Sequence, residues 1–345
     1  MKIIVDAMGG DNAPKAPVLG ALQANKEYGV DVILVGRGED ILKVMQDNGF
    51  SGLPDGVEIA HASQVVEICD NPATAFREKK DSSLTVGLNL LKAGDGDAFV
   101  SAGSTGALLS AATLVTKRIK GIRRAALAPV VPTGNGGTVL IDCGANAECP
   151  PEYLMQFAYM GSYYAQRVLG RAKPKVALLN IGAEPSKGTS LQTEVYPMLE
   201  EAAKAGRINF VGNVEAREAV QGEVDVIVCD GYSGNIFLKT MEGTAIYAMK
   251  ELKGVFKKSL LTKLAAVLVK DGLKELKKKM SSDEVGGTAL LGISKAVIKA
   301  HGSSDAYAIK NAVRQAAGFA SSGIIESIQE NIDQMRLAPA SRETE

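Results

Sequence analysis

The chain has 345 residues, 46% hydrophobic and 23% charged, with 39 basic and 39 acidic side chains and therefore no net charge. That balance is ordinary for a soluble globular protein, and a chain this long buries about three quarters of its unfolded surface, so its core needs no staples. No apolar run of 18 residues is present, and the N-terminus lacks the basic-then-apolar pattern of a signal peptide, so the expectation is a cytoplasmic protein that stays inside the cell.

Short apolar runs alternate with helical patterns along the chain. They predict strands at 2–6, 31–36, 57–60, 97–101, 126–131, 138–142, 175–180, 207–211 and 225–229. Between them apolar residues recur three and four apart, as in Val18-Leu19-Leu22 and Leu191-Val195-Leu199. This alternation predicts an α/β fold with a largely parallel sheet. No Pro- or Ser-rich linker interrupts it, so residues 1–335 read as a single domain, or as two halves sharing one sheet. The last ten residues, RLAPASRETE, read as a flexible tail, 336–345.

The residues after the strands carry the chemistry. DAMGGDNAP (6–14) follows the first, AGSTGALL (102–109) the fourth, CGANAECPP (143–151) the run at 138–142, IGAEPSKGTS (181–190) the run at 175–180, and DGYSGNIFLK (230–239) the last. Ligands in open α/β sheets bind beyond the carboxyl ends of strands, and the helix N-termini there offer free N–H groups to anions. One such turn is routine capping. Several in one chain predict an anion cleft.

Charge is unevenly spread. Residues 250–280 hold ten lysines against Glu251, Asp271 and Glu275, a local excess of +7, and KRIKGIRR (117–124) has five basic residues and no acid. Such clusters form solvated faces or steer an acidic partner or an anionic membrane. Residues 255–270 read as an amphipathic helix with Phe256, Leu260, Leu264, Val267 and Leu268 at helical spacing, broken by Asp271-Gly272. Packing into a dimer competes there with contact to a membrane surface.

Familiar motifs are missing. No GxGxxG or GxxxxGK[ST] follows a strand, there is no HExxH, and Gly231-Tyr232-Ser233-Gly234-Asn235 departs from GxSxG at its last position. Cys69, Cys143, Cys149 and Cys229 show no metal-ligand spacing and read as buried, reduced thiols. His61 reads as structural; His301, in AHGSSDA, caps or packs unless it reaches a pocket. A Ser-His-Asp hydrolase or a His/Cys metal site is hard to build from this stock. Inorganic phosphate as the attacker would remove the need for a protein nucleophile, since its second pKa lies near ~6. A thiolate leaving group, with a conjugate-acid pKa of ~8.5, departs with little protonation. The protein then has to hold an anion, orient a carbonyl and stabilise an oxyanion.

With these blocks the chain resembles bacterial phosphate acyltransferases of phospholipid synthesis. The similarity runs from Met1 to about Met335 through DAMGGDNAP, SAGSTGALL (101–109), DCGANAECPPEYLMQFA (142–158), FVGNVEAR (210–217), CDGYSGNIFLKTMEG (229–243) and AHGSSDAYAIKNAVRQA (300–316). It departs from them at Thr288-Ala289, where Ala-Pro is expected. The resemblance implies a three-layer α/β/α fold around one large mixed, mostly parallel sheet, like isocitrate and isopropylmalate dehydrogenases. It implies transfer of a fatty acyl group from acyl carrier protein to phosphate, giving acyl phosphate for glycerol-3-phosphate acylation. It further implies a homodimer and no metal or nucleotide cofactor; peripheral membrane association is the reading that residues 255–270 add, a downstream glycerol-3-phosphate acyltransferase is an expected further partner, and no nucleic acid is expected. Lys187 in EPSKG and Asn235 in YSGN carry over as catalytic candidates, the lysine to neutralise phosphate or polarise the thioester, the amide to meet the oxyanion. Asp6, Gly9, Asn12, Ser104, Thr105, Asn146 and His301 carry over as phosphate-pocket candidates. The competing readings are a nicotinamide-dependent decarboxylating dehydrogenase, a phosphotransacetylase using coenzyme A, and a membrane-bound scaffold.

Overall fold

A computed structural model describes residues 1–134, 136–279, 284 and 286–335, with backbone alone for 277–279. The predicted tail at 336–345 lies outside the described residues. In chain order the first elements are β1 (Lys2–Asp6), α1 (Lys15–Tyr28), β2 (Asp31–Gly36), α2 (Gly38–Asp47), β3 (Val57–His61), α3 (Ala75–Glu78), α4 (Ser83–Ala93), β4 (Ala98–Ser101) and α5 (Thr105–Ala111). The middle holds β5 (Ala126–Ala128), β6 (Val130–Val131), β7 (Thr138–Ile141), α6 (Pro151–Arg167), β8 (Lys175–Asn180), α7 (Ser190–Lys204), β9 (Asn209–Glu215), α8 (Ala216–Ala219) and β10 (Val226–Val228). The last are α9 (Gly231–Phe256), α10 (Leu260–Leu268), α11 (Lys270–Lys279), β11 (Thr288–Leu291), β12 (Ala296–Lys299), α12 (Ala306–Ser321) and α13 (Ile324–Glu330).

The strands are apolar on both sides because helices cover both sides. Ile3 and Val5 of β1, Val226 and Val228 of β10, and Val176 and Leu178 of β8 pack into one layer with α1, α6, α7 and α12. Ile4, Ile227 and Ala177, one residue out of phase, pack into the other with α4, α5 and the start of α9. A period of two within continuous apolar runs is the mark of parallel strands buried on both faces.

The mixed, mostly parallel sheet runs in two sections. Seven strands follow the order β3-β2-β1-β4-β12-β11-β5 and five the order β6-β7-β10-β8-β9. β11 pairs antiparallel with β12 and β5, and β6 antiparallel with β7. The predicted strand 126–131 is divided at Pro129, which has no N–H to donate; its carbonyl accepts from Leu140 N at 3.0 Å. β11 and β12 are absent from the sequence-based expectation, because each is only four residues long and Gly286-Gly287 and Gly292 make the segment look like a loop. Yet β12 is central, parallel to β4 with Lys299 opposite Ser101.

The amphipathic segment also differs in its breaks. Lys257 and Lys258 follow the end of α9, so Phe256 closes that helix rather than opening the next. Ser259 caps α10 by accepting from Thr262 N at 3.2 Å. α10 stops at Leu268, and Gly272 lies inside α11 instead of breaking the chain.

Candidate active site

The exit of β7 is organised by one buried carboxylate. Asp142 Oδ1 accepts from Leu127 N at 2.9 Å, Cys143 N at 2.7 Å and Ala145 N at 3.3 Å. Its Oδ2 accepts from Asn146 N at 2.7 Å and Asn146 Nδ2 at 3.0 Å. Burial pushes the carboxyl above its ordinary range, and these five donors pull against that shift. Asn146 is therefore spent: its amide also donates to Ala125 O at 2.9 Å, and its carbonyl accepts from Gly231 N at 2.8 Å. The structure puts Asn146 behind the cavity wall, where it seats the first turn of α9, rather than on the wall.

α9 can approach this loop only because residue 234 is glycine. A Cβ there would overlap the Asp142 carbonyl oxygen. Asp230 caps the helix, accepting from Ser233 N and Ser233 Oγ, each at 2.8 Å. The Ser233 hydroxyl is thus a capping donor, with no histidine paired to it. Asn235, at the start of the second turn, donates from Nδ2 to Cys143 O at 3.5 Å, a long bond, and its second N–H has no partner among the described residues.

Asn235 lines a cavity of about 1340 Å³ between the two sheet sections. Val130, Val131, Leu179, Ile236, Phe237 and Met241 give it an apolar wall. Thr105, Asn235, Lys239, Lys299, His301 and Ser304 supply polar groups. Of the candidates read from sequence, the structure brings Thr105, Asn235 and His301 onto this wall. Lys239 stands one helical turn beyond Asn235, and its Nζ pairs with Glu242 Oε2 at 2.7 Å.

The other candidates lie elsewhere. Asp6, Gly9 and Ser104 border a separate cleft of about 10 Å³, at the limit for one water molecule. Asp6 is buried, accepting from Met8 N at 3.1 Å and Ser101 Oγ at 2.7 Å, and burial raises its pKa. Gly9 is needed for close approach, since a Cβ would stand 2.5 Å from Asp6 Oδ2 and 2.8 Å from Gly103 N. Ser104 caps α5 through Ala107 N at 3.5 Å. Asn12 donates to Ser303 O at 3.0 Å and Ser304 O at 3.2 Å, tying the β1 loop to the β12 loop. Lys187 is exposed on the β8–α7 loop, its carbonyl held by Asn180 Nδ2 at 3.0 Å. Gly188 and Thr189 beside it line the cavity; Lys187 adjoins the wall.

Lys299 was missed with its strand. It ends β12, is 8% exposed, and donates from Nζ to Ala300 O and to Ala102 O at 3.3 Å. Burial lowers its pKa to about 8, opposed by the carboxylates of Asp6 and Asp11 and assisted by Lys239. The available signal was an apolar run closing on a lysine directly before AHGSSDA.

All four cysteines are free; Cys143 and Cys229 are buried, Cys149 half-buried and Cys69 exposed, contrary to the expectation that all are buried. Cys143 lines the cavity, but burial pushes its thiol up to about 12, far from the thiolate a nucleophile needs. Among the described residues no cluster of three or more His, Cys, Asp or Glu has a metal-binding arrangement.

The fold is that of isocitrate dehydrogenase-like proteins. The EutD phosphotransacetylase from Staphylococcus aureus superposes with a TM-score of 0.62 at 17% identity, covering 93% of this chain and 94% of that one. A 4-hydroxythreonine-4-phosphate dehydrogenase from Salmonella typhimurium superposes at 0.53 and 12% identity, over 92% and 98%. Sequence comparison is more specific. A family described as "Fatty acid synthesis protein" matches residues 1–327. The phosphate acyltransferase of Alkaliphilus oremlandii is 48% identical over 335 residues, 97% of this chain and 98% of that protein. That of Clostridioides difficile is 47% identical over 333 residues, 96% of each. The chain belongs to this family, and it is an acyltransferase.

Proposed function

We propose that the protein transfers a fatty acyl group from acyl carrier protein to inorganic phosphate, releasing acyl phosphate for glycerol-3-phosphate acylation. One observation carries the reading: one cavity of about 1340 Å³ is lined both by apolar side chains that suit an acyl chain and by the amide of Asn235, Thr105, Ser304, Lys239, Lys299 and His301. A phosphate oxygen attacks the thioester carbonyl carbon, the C–S bond breaks, and the thiolate leaves on the carrier. The free N–H of Asn235 meets the oxyanion, and Lys187 adds positive charge at the mouth. No side chain forms an acyl bond, in keeping with the high thiol pKa of Cys143 and the capping role of the Ser233 hydroxyl. Mass spectrometry of wild-type protein with acyl carrier protein thioester and phosphate is expected to find acyl phosphate and no acylated polypeptide. Turnover with acyl-coenzyme A alone would favour the coenzyme A reading, and quenching of NADH fluorescence on titration the dehydrogenase.

The C-terminal helices support a peripheral and dimeric protein. Among the described residues α9 buries only Gly231 and Gly234 along its 26 residues, a long face suited to a second copy. Leu260 is 78% and Leu268 87% exposed, and Leu264 and Val267 are also exposed, beside the lysines of 250–280. No described helix is long and apolar enough to cross a membrane. In this reading α10 lies on an anionic surface, where each nearby lysine adds about 1 kcal/mol. Leu260→Glu with Leu264→Glu is expected to release the protein from anionic vesicles in sedimentation while thioester phosphorolysis in solution continues; unchanged sedimentation would remove α10 as the anchor. The same lysines, or those of 117–124, dock the acidic carrier. In the second cluster Ile119 and Ile122 are buried and Arg123 pairs with Glu152 at 2.9 Å, so it is partly anchored to the fold.

A further inference from the structure

We propose that Lys299 and Ser304, joined by Nε2 of His301, form the subsite that binds the phosphate acceptor, at the carboxyl end of β12. The inference rests on phosphate being the acceptor and says which groups hold it.

Three observations converge. Ser304 is 6% exposed, lines the large cavity, and its hydroxyl has no hydrogen-bond partner among the described residues. Its backbone is fully used: N donates to His301 O at 3.0 Å and O accepts from Asn12 Nδ2. A buried hydroxyl left unpaired costs stability unless something entering the cavity pairs with it. Lys299 places a buried ammonium on the same wall, held by two backbone carbonyls and no carboxylate salt bridge among the described residues. Such an ammonium is pre-positioned, with the carboxylates of Asp6 and Asp11 acting on it only at a distance. His301 supplies the third donor. Its Nδ1 accepts from Ser303 N at 3.3 Å, and a backbone N–H can only donate, so the neutral ring carries its proton on Nε2. Ser303 Oγ, 2.8 Å from the same Nδ1, reinforces that tautomer.

An ammonium, a hydroxyl and an imidazole N–H are all donors, and they suit a small oxyanion better than a carbonyl. Two of the nearby carboxylates are engaged elsewhere: Asp6 accepts from Ser101, and Asp305 turns to Ala308 N at 2.9 Å as the cap of α12; Asp11, beside Gly302, also faces Lys299 and offsets part of its charge. Lys187, exposed on another loop, is then left for the thioester end.

Ser304→Ala and Lys299→Gln test the assignment, with wild type alongside and folding checked by thermal melting. Phosphate alone is expected to raise the melting temperature of wild type, a readout independent of turnover. Both variants should lose most of that rise. The phosphate KM should increase about tenfold in Ser304→Ala and a hundredfold or more in Lys299→Gln, with the acyl-donor KM unchanged. Wild-type phosphate affinity should also fall as pH rises through about 8, where Lys299, facing Asp6, Asp11 and Lys239, loses its proton; Lys299→Gln should lack that dependence. If Lys299→Gln fails to fold, Ser304→Ala still decides, because it removes a hydroxyl that bonds to nothing among the described residues. A wild-type phosphate response in Ser304→Ala overturns the proposal, as does a change confined to the donor KM, which would place a donor-borne phosphate there. A wild type stabilised by phosphate that makes no acyl phosphate would instead overturn the proposed reaction and leave the anion site standing.

Discussion

Asp142→Ala is expected to leave the protein largely unfolded or soluble only in part. The substitution strands five donors that now converge on one fully buried carboxylate, four of them backbone N–H groups. Each buried donor without a partner costs ~1–3 kcal/mol, so even with water entering, the loss is about 5 kcal/mol or more. Against a total stability of about 5–15 kcal/mol that is most of the margin. Far-UV circular dichroism through a urea titration reads it directly. Asp142→Asn should be milder, because one carbonyl oxygen remains, but its NH2 group would face the donors of Asn146. A midpoint within 0.5 M of wild type for Asp142→Ala would mean that the loop after β7 holds α9 by other contacts.

Asn235→Ala is expected to do the opposite, keeping the fold and abolishing the reaction. The one hydrogen bond of the amide among the described residues is the 3.5 Å bond to Cys143 O, too long to hold much, so the melting temperature should hardly change. Removing a donor aimed at a developing oxyanion costs on the order of 10²–10³ in turnover. Phosphate-dependent loss of the thioester should fall by that factor with little change in KM for either substrate. Lys187→Ala should share the phenotype with an equally unchanged melt, since the residue is exposed. Near-normal rates in either variant would remove that residue from the mechanism. The contrast with Asp142, whose neighbour Cys143 lines the same cavity, separates residues that build the site from residues that work in it.

Much of the fold is legible in the sequence because both-sided burial imposes long apolar runs. β1, β2 and β8 begin and end where those runs predict. The runs fail at 288–291 and 296–299, where strands of four residues are punctuated by glycines and one is antiparallel. The site shows the same division. Thr105 and Asn235 follow predicted polar strand exits, and the cavity lies there; His301, a candidate only through the family resemblance, reaches it from β12, which the runs missed. Asn146 follows one too, yet Asp142 and Ala125 consume its amide. The exit pattern predicts nearness to the cleft but not which way a side chain turns.

What the amino-acid order determined by itself is the set of local structures: periodic burial makes the strands, and short polar caps begin the helices, so the layered fold and the family follow from it. What the tertiary structure alone decided is which groups meet. Strand order sets Lys299 beside Ser101, 198 positions earlier, and brings Lys299 and Ser304 into the lining of one cavity with Asn235. The charge on that lysine is likewise a tertiary property, because desolvation and the carboxylates of Asp6 and Asp11 act only once the sheet has assembled.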